Sequence, residues 1–130
     1  EPQGTPWIIK FRSAHEPPNT GLTEYAYSLA AREAGLDMPE THLFPSATSP
    51  GYFGVQRFDR VHGQKVHVHT ACGLHASHRE PSLTDESLLR LTLLLTKDIR
   101  EVLKMVRLME FNVRSGNKDD HSKNFSFLLK

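Results

Sequence analysis

The sequence is poor in several features that would assign it to a particular class of protein. Its 130 residues include one cysteine, Cys72, which excludes an internal disulfide framework and fits a reducing compartment. The 16 basic and 15 acidic residues leave a formal net charge of +1, so no broad basic face for nucleic acid is indicated. No run approaches the ~18 apolar residues of a membrane span, and no signal-peptide pattern opens the chain. We therefore expect a soluble, cytoplasmic protein.

The first seventy or so residues are predicted to form a small sheet and one helix. Residues 7–11, WIIKF, are apolar and β-branched, and residues 41–44 and 52–58 are predicted as further strands. Apolar spacing over residues 22–34, followed by Gly35, predicts a helix and its end. The sequence VHGQ at 61–64 predicts a hairpin turn that leads into KVHVH, a strand in which histidines alternate with valines.

The second half is predicted to be mainly helical. Ser82 followed by Asp85 resembles a helix start before the run LLRLTLLL. Apolar residues then recur at helical spacing from Ile99 to Val113, which predicts a long amphipathic helix ending near Gly116. The sequence FSFLL at 125–129 alternates as a strand does. The elements together predict a mixed fold in which a sheet-rich part precedes a helical part.

A dense polar run, NKDDHSKN at 117–124, follows the long predicted helix. Asp119 and Asn124 are five residues apart, which is the separation at which protein kinases place an aspartate that accepts the substrate proton and an asparagine that holds magnesium. Asp120 fits this spacing less well. His121 and Lys123 could face phosphate oxygens. The spacing alone is a weak signal, because a charged surface turn has the same composition.

Lys10 stands inside the apolar strand 7–11, where a charge needs a partner or a function. Kinases place a strand lysine on the ATP phosphates and pair it with a glutamate on a helix, and Glu24 could be that glutamate. The alternatives are a lysine that points to solvent from an edge strand and an acid that favours a helix N-terminus. The extended segment YFGVQRFDR, 52–60, could offer backbone groups to an adenine.

Three stretches carry a family resemblance: EYAYSLAAREAGLDMPE (24–40), YFGVQRFDR (52–60) and FNVRSGNKDDHSKNFSF (111–127). They resemble the C-terminal kinase domain of the HipA-like toxin kinases over nearly the whole chain. The resemblance implies a truncated α+β, two-lobed, protein-kinase-like fold. We expect residues 1–57 to form the sheet lobe and the start of the hinge, 58–81 the hinge with a hairpin and loop, and 82–130 the helical lobe with the catalytic loop.

The candidate site comprises eight residues with roles in catalysis, nucleotide binding, metal binding and support. The resemblance implies the first six roles: Asp119 as the catalytic aspartate; Lys10, Gln56, Phe58 and His121 at the nucleotide; and Asn124 on magnesium. Glu24 and Lys123 are the supporting residues argued above.

The resemblance also implies an activity and partners. Members of the family use ATP and magnesium to phosphorylate serine or threonine in proteins, with aminoacyl-tRNA synthetases among the targets. They are toxins, normally neutralised by a helix-turn-helix antitoxin that binds DNA, so contact with DNA would be indirect. No contact with a membrane is expected.

The run HVHTACGLHASH supports a different class of function. It places five possible zinc ligands within twelve residues: His67, His69, Cys72, His75 and His78. A metal-binding or metal-dependent hydrolytic module is therefore one alternative, although the spacing matches no standard zinc finger. A second alternative is a binding module with a catalytically incomplete kinase fold.

We expect the 130-residue chain alone to be inactive as a kinase and to bind Mg-ATP weakly. The family's serine-bearing phosphate loop and second magnesium aspartate have no counterpart in residues 1–130, and each charge-assisted ligand contributes about 2–3 kcal/mol. We also expect the second-half helices to expose apolar surface. Titration calorimetry of the chain with Mg-ATP tests the first expectation. Micromolar affinity, or phosphate transfer to any protein, would contradict it.

Overall fold

The chain folds into two compact units, Glu1–Lys65 and Val66–Lys130. The structure, a computed structural model, describes residues 4–75, 83–117 and 124–129. No helix in this described part is both long and apolar enough to cross a membrane. The elements in chain order are β1 (Trp7–Lys10), α1 (Thr20–Glu33), β2 (Thr41–Phe44), β3 (Tyr52–Gln56), β4 (Arg60–Val61), β5 (Gln64–Lys65), β6 (His67–Thr70), α2 (Ala71–His75), α3 (Asp85–Thr96), α4 (Ile99–Arg114) and β7 (Ser126–Leu129).

The first unit is built on a three-stranded antiparallel sheet in the order β1-β3-β2. The central strand, β3, comes last in sequence, so it completes the ladders of both earlier strands. Its register pairs Gly54 with Ile9 on one side and with His42 on the other. The three strands predicted from the sequence are confirmed, although β1 and β3 end one and two residues earlier than expected.

Helix α1 packs against β2 and β3. The buried hydroxyls of Ser28 and Thr41 are 2.9 Å apart and hydrogen-bonded, which ties the middle of the helix to the start of β2. The helix ends as the sequence predicted, because Gly35 adopts a left-handed φ of +81°. The amides of Gly35 and the next residue then bond back to the carbonyls of Arg32 and Ala31, which satisfies the last turn.

The first turn of α1 lies unusually close to the sheet. A Cβ atom added to Gly21 would sit 2.3 Å from the carbonyl oxygen of Gly51 and 3.1 Å from the amide nitrogen of Phe53. Both neighbouring atoms belong to the backbone, which cannot move aside as a flexible side chain can. Glycine at position 21 is therefore a condition for this helix position.

The predicted hairpin turn is confirmed, but its second strand is shorter than expected. His62 and Gly63 both have positive φ, at 50° and 78°, which is the geometry of a type I′ turn between β4 and β5. The sequence KVHVH was expected to continue this hairpin. Instead β5 ends at Lys65, and β6 pairs in antiparallel register with β7, about sixty residues later.

The core of the second unit explains this long-range pairing. Ala71, Leu88 and Phe125 are buried together, and the Ala71 amide donates a 2.8 Å hydrogen bond to the Phe125 carbonyl. Because the side chains of β6 alternate, Val68 and Thr70 are partly buried while His67 and His69 are exposed. The half-buried side chains that complete this core are Leu83, Leu91, Met105, Leu108, Met109 and Phe127.

Helix α3 begins later than the sequence suggested. The cap was expected at Ser82, which lies outside the described residues, but the N-cap is Thr84. Its side-chain oxygen accepts a 3.2 Å hydrogen bond from the Ser87 amide. Asp85 and Glu86 then occupy the first turn, where negative charge favours the helix dipole.

Helices α3 and α4 expose much of their apolar surface, as predicted. Leu94 is 71% exposed and Val113 is 78% exposed, and Leu93, Leu95, Ile99, Leu103 and Val106 are also exposed. Of the apolar residues on these two helices, Leu88 is the one that is fully buried. The amphipathic pattern therefore identifies the helices correctly, but only part of the apolar surface that it marks is buried against the described core.

Replacing Gly21 with alanine should destabilise the first unit by about 1–3 kcal/mol, because the new Cβ would overlap the backbone of Gly51. An unobstructed glycine-to-alanine change in a helix stabilises by about 1 kcal/mol, so the sign of the change is diagnostic. Urea denaturation measures the effect. Thr23→Ala, at an exposed position in the same region of α1, is the control. A Gly21→Ala chain at least as stable as the original would show that this close approach is unnecessary.

Candidate active site

Lys10, the last residue of β1, forms an ion pair with Glu24 on α1, in which the lysine ammonium donates to the glutamate Oε1. Glu24 follows Gly21 by one helical turn, so the close approach of α1 to the sheet brings the carboxylate within reach. The two side chains are 55% and 28% exposed, so the pair lies at an accessible surface. The structure thus forms the pairing that the sequence suggested, while the roles of both residues stay predictions.

A cavity of about 10 Å³ lies beside this ion pair, and its walls include Arg12, Glu16 and Tyr52. This volume holds about one water molecule, so a nucleotide cannot lie inside it. The rim is ordered by local hydrogen bonds. Arg12 donates to the Glu16 carbonyl at 2.8 Å, and the Ser13 amide donates to the Glu16 carboxylate at 2.7 Å. Hydrogen bonding from Ser13 lowers the pKa of Glu16.

The proposed adenine-contacting residues, Gln56 and Phe58, stand at the end of the central strand. The backbone amide of Gln56 donates a hydrogen bond to the carbonyl of Glu40 at 2.8 Å, and the backbone amide of Arg57 donates one to the carbonyl of Pro6 at 2.9 Å. These two donors are therefore committed to the sheet, and a base would have to use other backbone groups. The Phe58 ring is 46% exposed.

Asp59 is held between two arginines directly after Phe58. Arg57 donates from Nε and Nη2 to the two carboxylate oxygens, at 2.8 and 2.6 Å, and Arg60 donates from Nη1 at 2.6 Å. The hydrogen bonds from Arg57, followed by the attraction of the two cations, lower the pKa of Asp59 from 3.8 to about 2. This cluster was not predicted from the sequence, although the segment RFDR carries a signal for it, since two arginines are spaced around one aspartate.

The polar run near the C-terminus is described only at its edges. The predicted catalytic Asp119, and His121 and Lys123 with it, lie outside the described residues. Asn124 is described and exposed, and the next residue, Phe125, is buried in the core of the second unit. Asn124 is therefore tied to that core by its neighbour. That these residues share a crevice with Lys10 stays a prediction.

The histidine-rich segment does not form a complete metal site among the described residues. His67 and His69 are exposed on β6 with ring centroids 5.9 Å apart, and Cys72 is a half-buried free thiol on α2. Within residues 4–75, 83–117 and 124–129, no three His, Cys, Asp or Glu side chains are placed to hold one ion. The side chain of His75 and all of His78 lie outside what the structure describes.

The ion pairs of Asp59 predict an acid-dependent loss of stability. The pKa of this carboxyl is about 2 in the folded chain and near 3.8 when unpaired, so the unfolded state binds more protons between these values. Its stabilising contribution is complete above about pH 4 and is lost as the pH falls through about 2. We expect Asp59→Asn to weaken the fall of the unfolding free energy in acid denaturation followed by circular dichroism. The control, Asp37→Asn at an exposed position, should keep the original pH dependence. An equal fall for Asp59→Asn and the original chain would contradict the prediction.

Comparison with known structures supports the α+β fold predicted from the sequence. The chain is similar to a chain in the complex of the Shewanella oneidensis MR-1 toxin–antitoxin system HipA, HipB and its operator DNA. The TM-score is 0.75 and the sequence identity is 20%. The match covers 95% of this chain and 33% of that one, so this chain spans about a third of the solved protein's length. The predicted fold class is confirmed.

Comparison at the level of sequence gives the family. No curated protein matches the chain. A family model described as the HipA-like C-terminal domain matches residues 1–130, which is the whole of the sequence. The family predicted from the three quoted stretches is confirmed, and the chain belongs to the family of HipA-like C-terminal domains.

Proposed function

We propose that the protein containing this chain is an ATP- and magnesium-dependent serine/threonine protein kinase, and that it is the toxin of a toxin–antitoxin system. The Lys10–Glu24 ion pair carries the proposal. In protein kinases a strand lysine must be paired with a helix glutamate before it can bind the nucleotide phosphates productively. A lysine in an apolar strand and a glutamate on the next helix form that pair here, at an accessible surface.

The described residues fit magnesium-bound ATP as the cofactor. Lys10 offers an ammonium group whose direction is set by Glu24, and Asn124 offers a hard amide oxygen of the kind that magnesium prefers. When bound, ATP would supply the phosphoryl group to be transferred, and magnesium would neutralise part of the negative charge of the phosphates. Most of the remaining catalytic effect comes from positioning and electrostatics.

In the first unit, the proposed roles concern nucleotide binding. Lys10 would bind phosphate oxygens, while Glu24 would keep the ammonium extended from the sheet. Backbone groups at Gln56 and Phe58 would contact the adenine. The backbone amide of Gln56 would not be one of them, because it already donates to the Glu40 carbonyl. The ion pairs of Asp59 with its neighbouring arginines would hold the turn that carries Phe58.

In the second unit, the proposed roles concern proton transfer and the metal ion. Asp119 would accept the proton of the substrate hydroxyl, and Asn124 would hold magnesium. His121 would contact the nucleotide, and Lys123 would offset negative charge. Phe125 supports this assignment, because its burial fixes the chain directly after Asn124.

The proposed partners follow from the family and from the neighbouring structure. The solved neighbour is described in a complex of HipA, HipB and operator DNA. We propose that the present protein also has an antitoxin partner, of the helix-turn-helix type, and that its association with DNA is indirect. Its substrate would be a cytoplasmic protein phosphorylated on serine or threonine, with an aminoacyl-tRNA synthetase as one candidate.

Replacing Asp119 with asparagine in the full-length protein should lower the rate of phosphate transfer by roughly 100-fold or more. Asparagine keeps the size of the side chain but cannot accept the substrate proton. The measurement is transfer of radiolabelled phosphate from ATP to proteins of a nucleotide-depleted cell extract. Asp120→Asn is the matched control, because the adjacent carboxylate is four rather than five residues from Asn124.

The outcomes separate the general proposal from the assignment of the base. Loss of activity in Asp120→Asn with full activity in Asp119→Asn would show that the wrong aspartate was chosen. A full-length protein that transfers no phosphate to any component of the extract would show that the kinase proposal is wrong.

A further inference from the structure

Asn112 is a polar residue at a buried position of α4, where an apolar residue is expected. It lies on α4 and is 8% exposed, which makes it the buried residue of that helix. Burying an amide costs free energy unless its polar atoms are hydrogen-bonded, and an apolar side chain of similar size would avoid that cost. The contacts of Asn112 therefore indicate why an amide is present.

The side chain of Asn112 contacts Asn117, just beyond the end of α4, and its backbone carbonyl also accepts a 3.3 Å hydrogen bond from the Ser115 hydroxyl. The Asn112 side-chain oxygen accepts a 3.2 Å hydrogen bond from the Asn117 side-chain amide. The Asn112 carbonyl accepts a second bond, of 2.9 Å, from the Asn117 backbone amide. Gly116 makes this possible, because its φ of +69° turns the chain back toward the helix. Asn117 is thus attached to the same residue at two points, through its backbone and through its side chain.

The backbone bond alone would end the helix. In the usual glycine-terminated helix end, main-chain bonds satisfy the last carbonyls and any side chain can follow. The added bond between the two amide side chains fixes the orientation of residue 117 as well as its position. On the other side of the polar run, the Phe125 carbonyl is bonded to the Ala71 amide and its ring is buried. Both described ends of the run are therefore attached to the second unit.

We propose that Asn112 and Asn117 are positioning residues, whose paired side chains set the direction in which the chain leaves α4 toward the catalytic aspartate. This inference rests on the proposed kinase function. Misplacing a reacting group by about 1 Å can cost up to about 100-fold in rate, so a bond two residues from Asp119 can govern turnover without touching the substrate. The nucleotide-binding groups of the first unit do not depend on it.

The test is the maximal rate of phosphate transfer and the KM for ATP in the full-length protein. Asn117→Ala removes the side-chain bond at an exposed position and leaves the backbone bond intact. We expect the maximal rate to fall about tenfold or more, and the KM for ATP to change by a smaller factor because Lys10, Gln56 and Phe58 do not depend on this bond. The melting temperature should stay within a few degrees of that of the wild type. Asn112→Ala should lower the rate similarly, and the double variant should lose no more than either single variant.

Arg114→Ala is the matched control, because it breaks an exposed ion pair with Glu110 in the same last turn of α4. It should keep the wild-type rate. Asn117→Ala with an unchanged rate, or losses that multiply in the double variant, would overturn the positioning role. A smaller fraction of active protein molecules, with an unchanged rate per active molecule, would show a merely structural role and would also overturn the positioning role. Absence of transfer by the wild-type protein would instead refute the kinase function itself.

Discussion

The close contact between the first turn of α1 and the start of β3 governs the geometry of the first unit. It exists because Gly21 has no side chain, which lets the helix backbone approach the carbonyl of Gly51. Glu24 then falls one turn further along, where it meets the ammonium of Lys10. A helix held farther from the sheet would place the Glu24 carboxylate out of reach of this lysine.

The second unit depends on a contact of a different kind, which joins distant parts of the chain. Phe125 packs in a small core with Ala71 and Leu88, and its carbonyl accepts a hydrogen bond from the Ala71 amide at the start of α2. This contact brings β7 beside β6 and fixes the residue that follows Asn124. The polar run is thereby bounded by α4 on one side and by a buried aromatic residue on the other.

The exposed apolar side chains of α3 and α4 leave much of the apolar surface of the second unit uncovered by the described residues. Leu94 and Val113 lie largely in solvent, although the helices that carry them have a clear apolar periodicity. The chain also spans about a third of the solved protein that it resembles. The apolar pattern of these helices and their burial therefore agree only in part, since periodicity reports which face of a helix favours burial and not what covers that face.

The sequence by itself determined most of the elements, because these follow from local rules, and it suggested the pair of Lys10 and Glu24 as one of the alternatives for these residues. Glycine at positive φ ends α1, apolar periodicity marks α4, and a charge inside an apolar strand requires a partner. Only the tertiary structure decided that β6 pairs with β7 and that Asn112 holds Asn117. Each of these depends on which side chains meet after the chain has turned back on itself. Spacing along the sequence does not contain that information, because a strand or a side-chain amide can bond equally well to many partners until packing selects one.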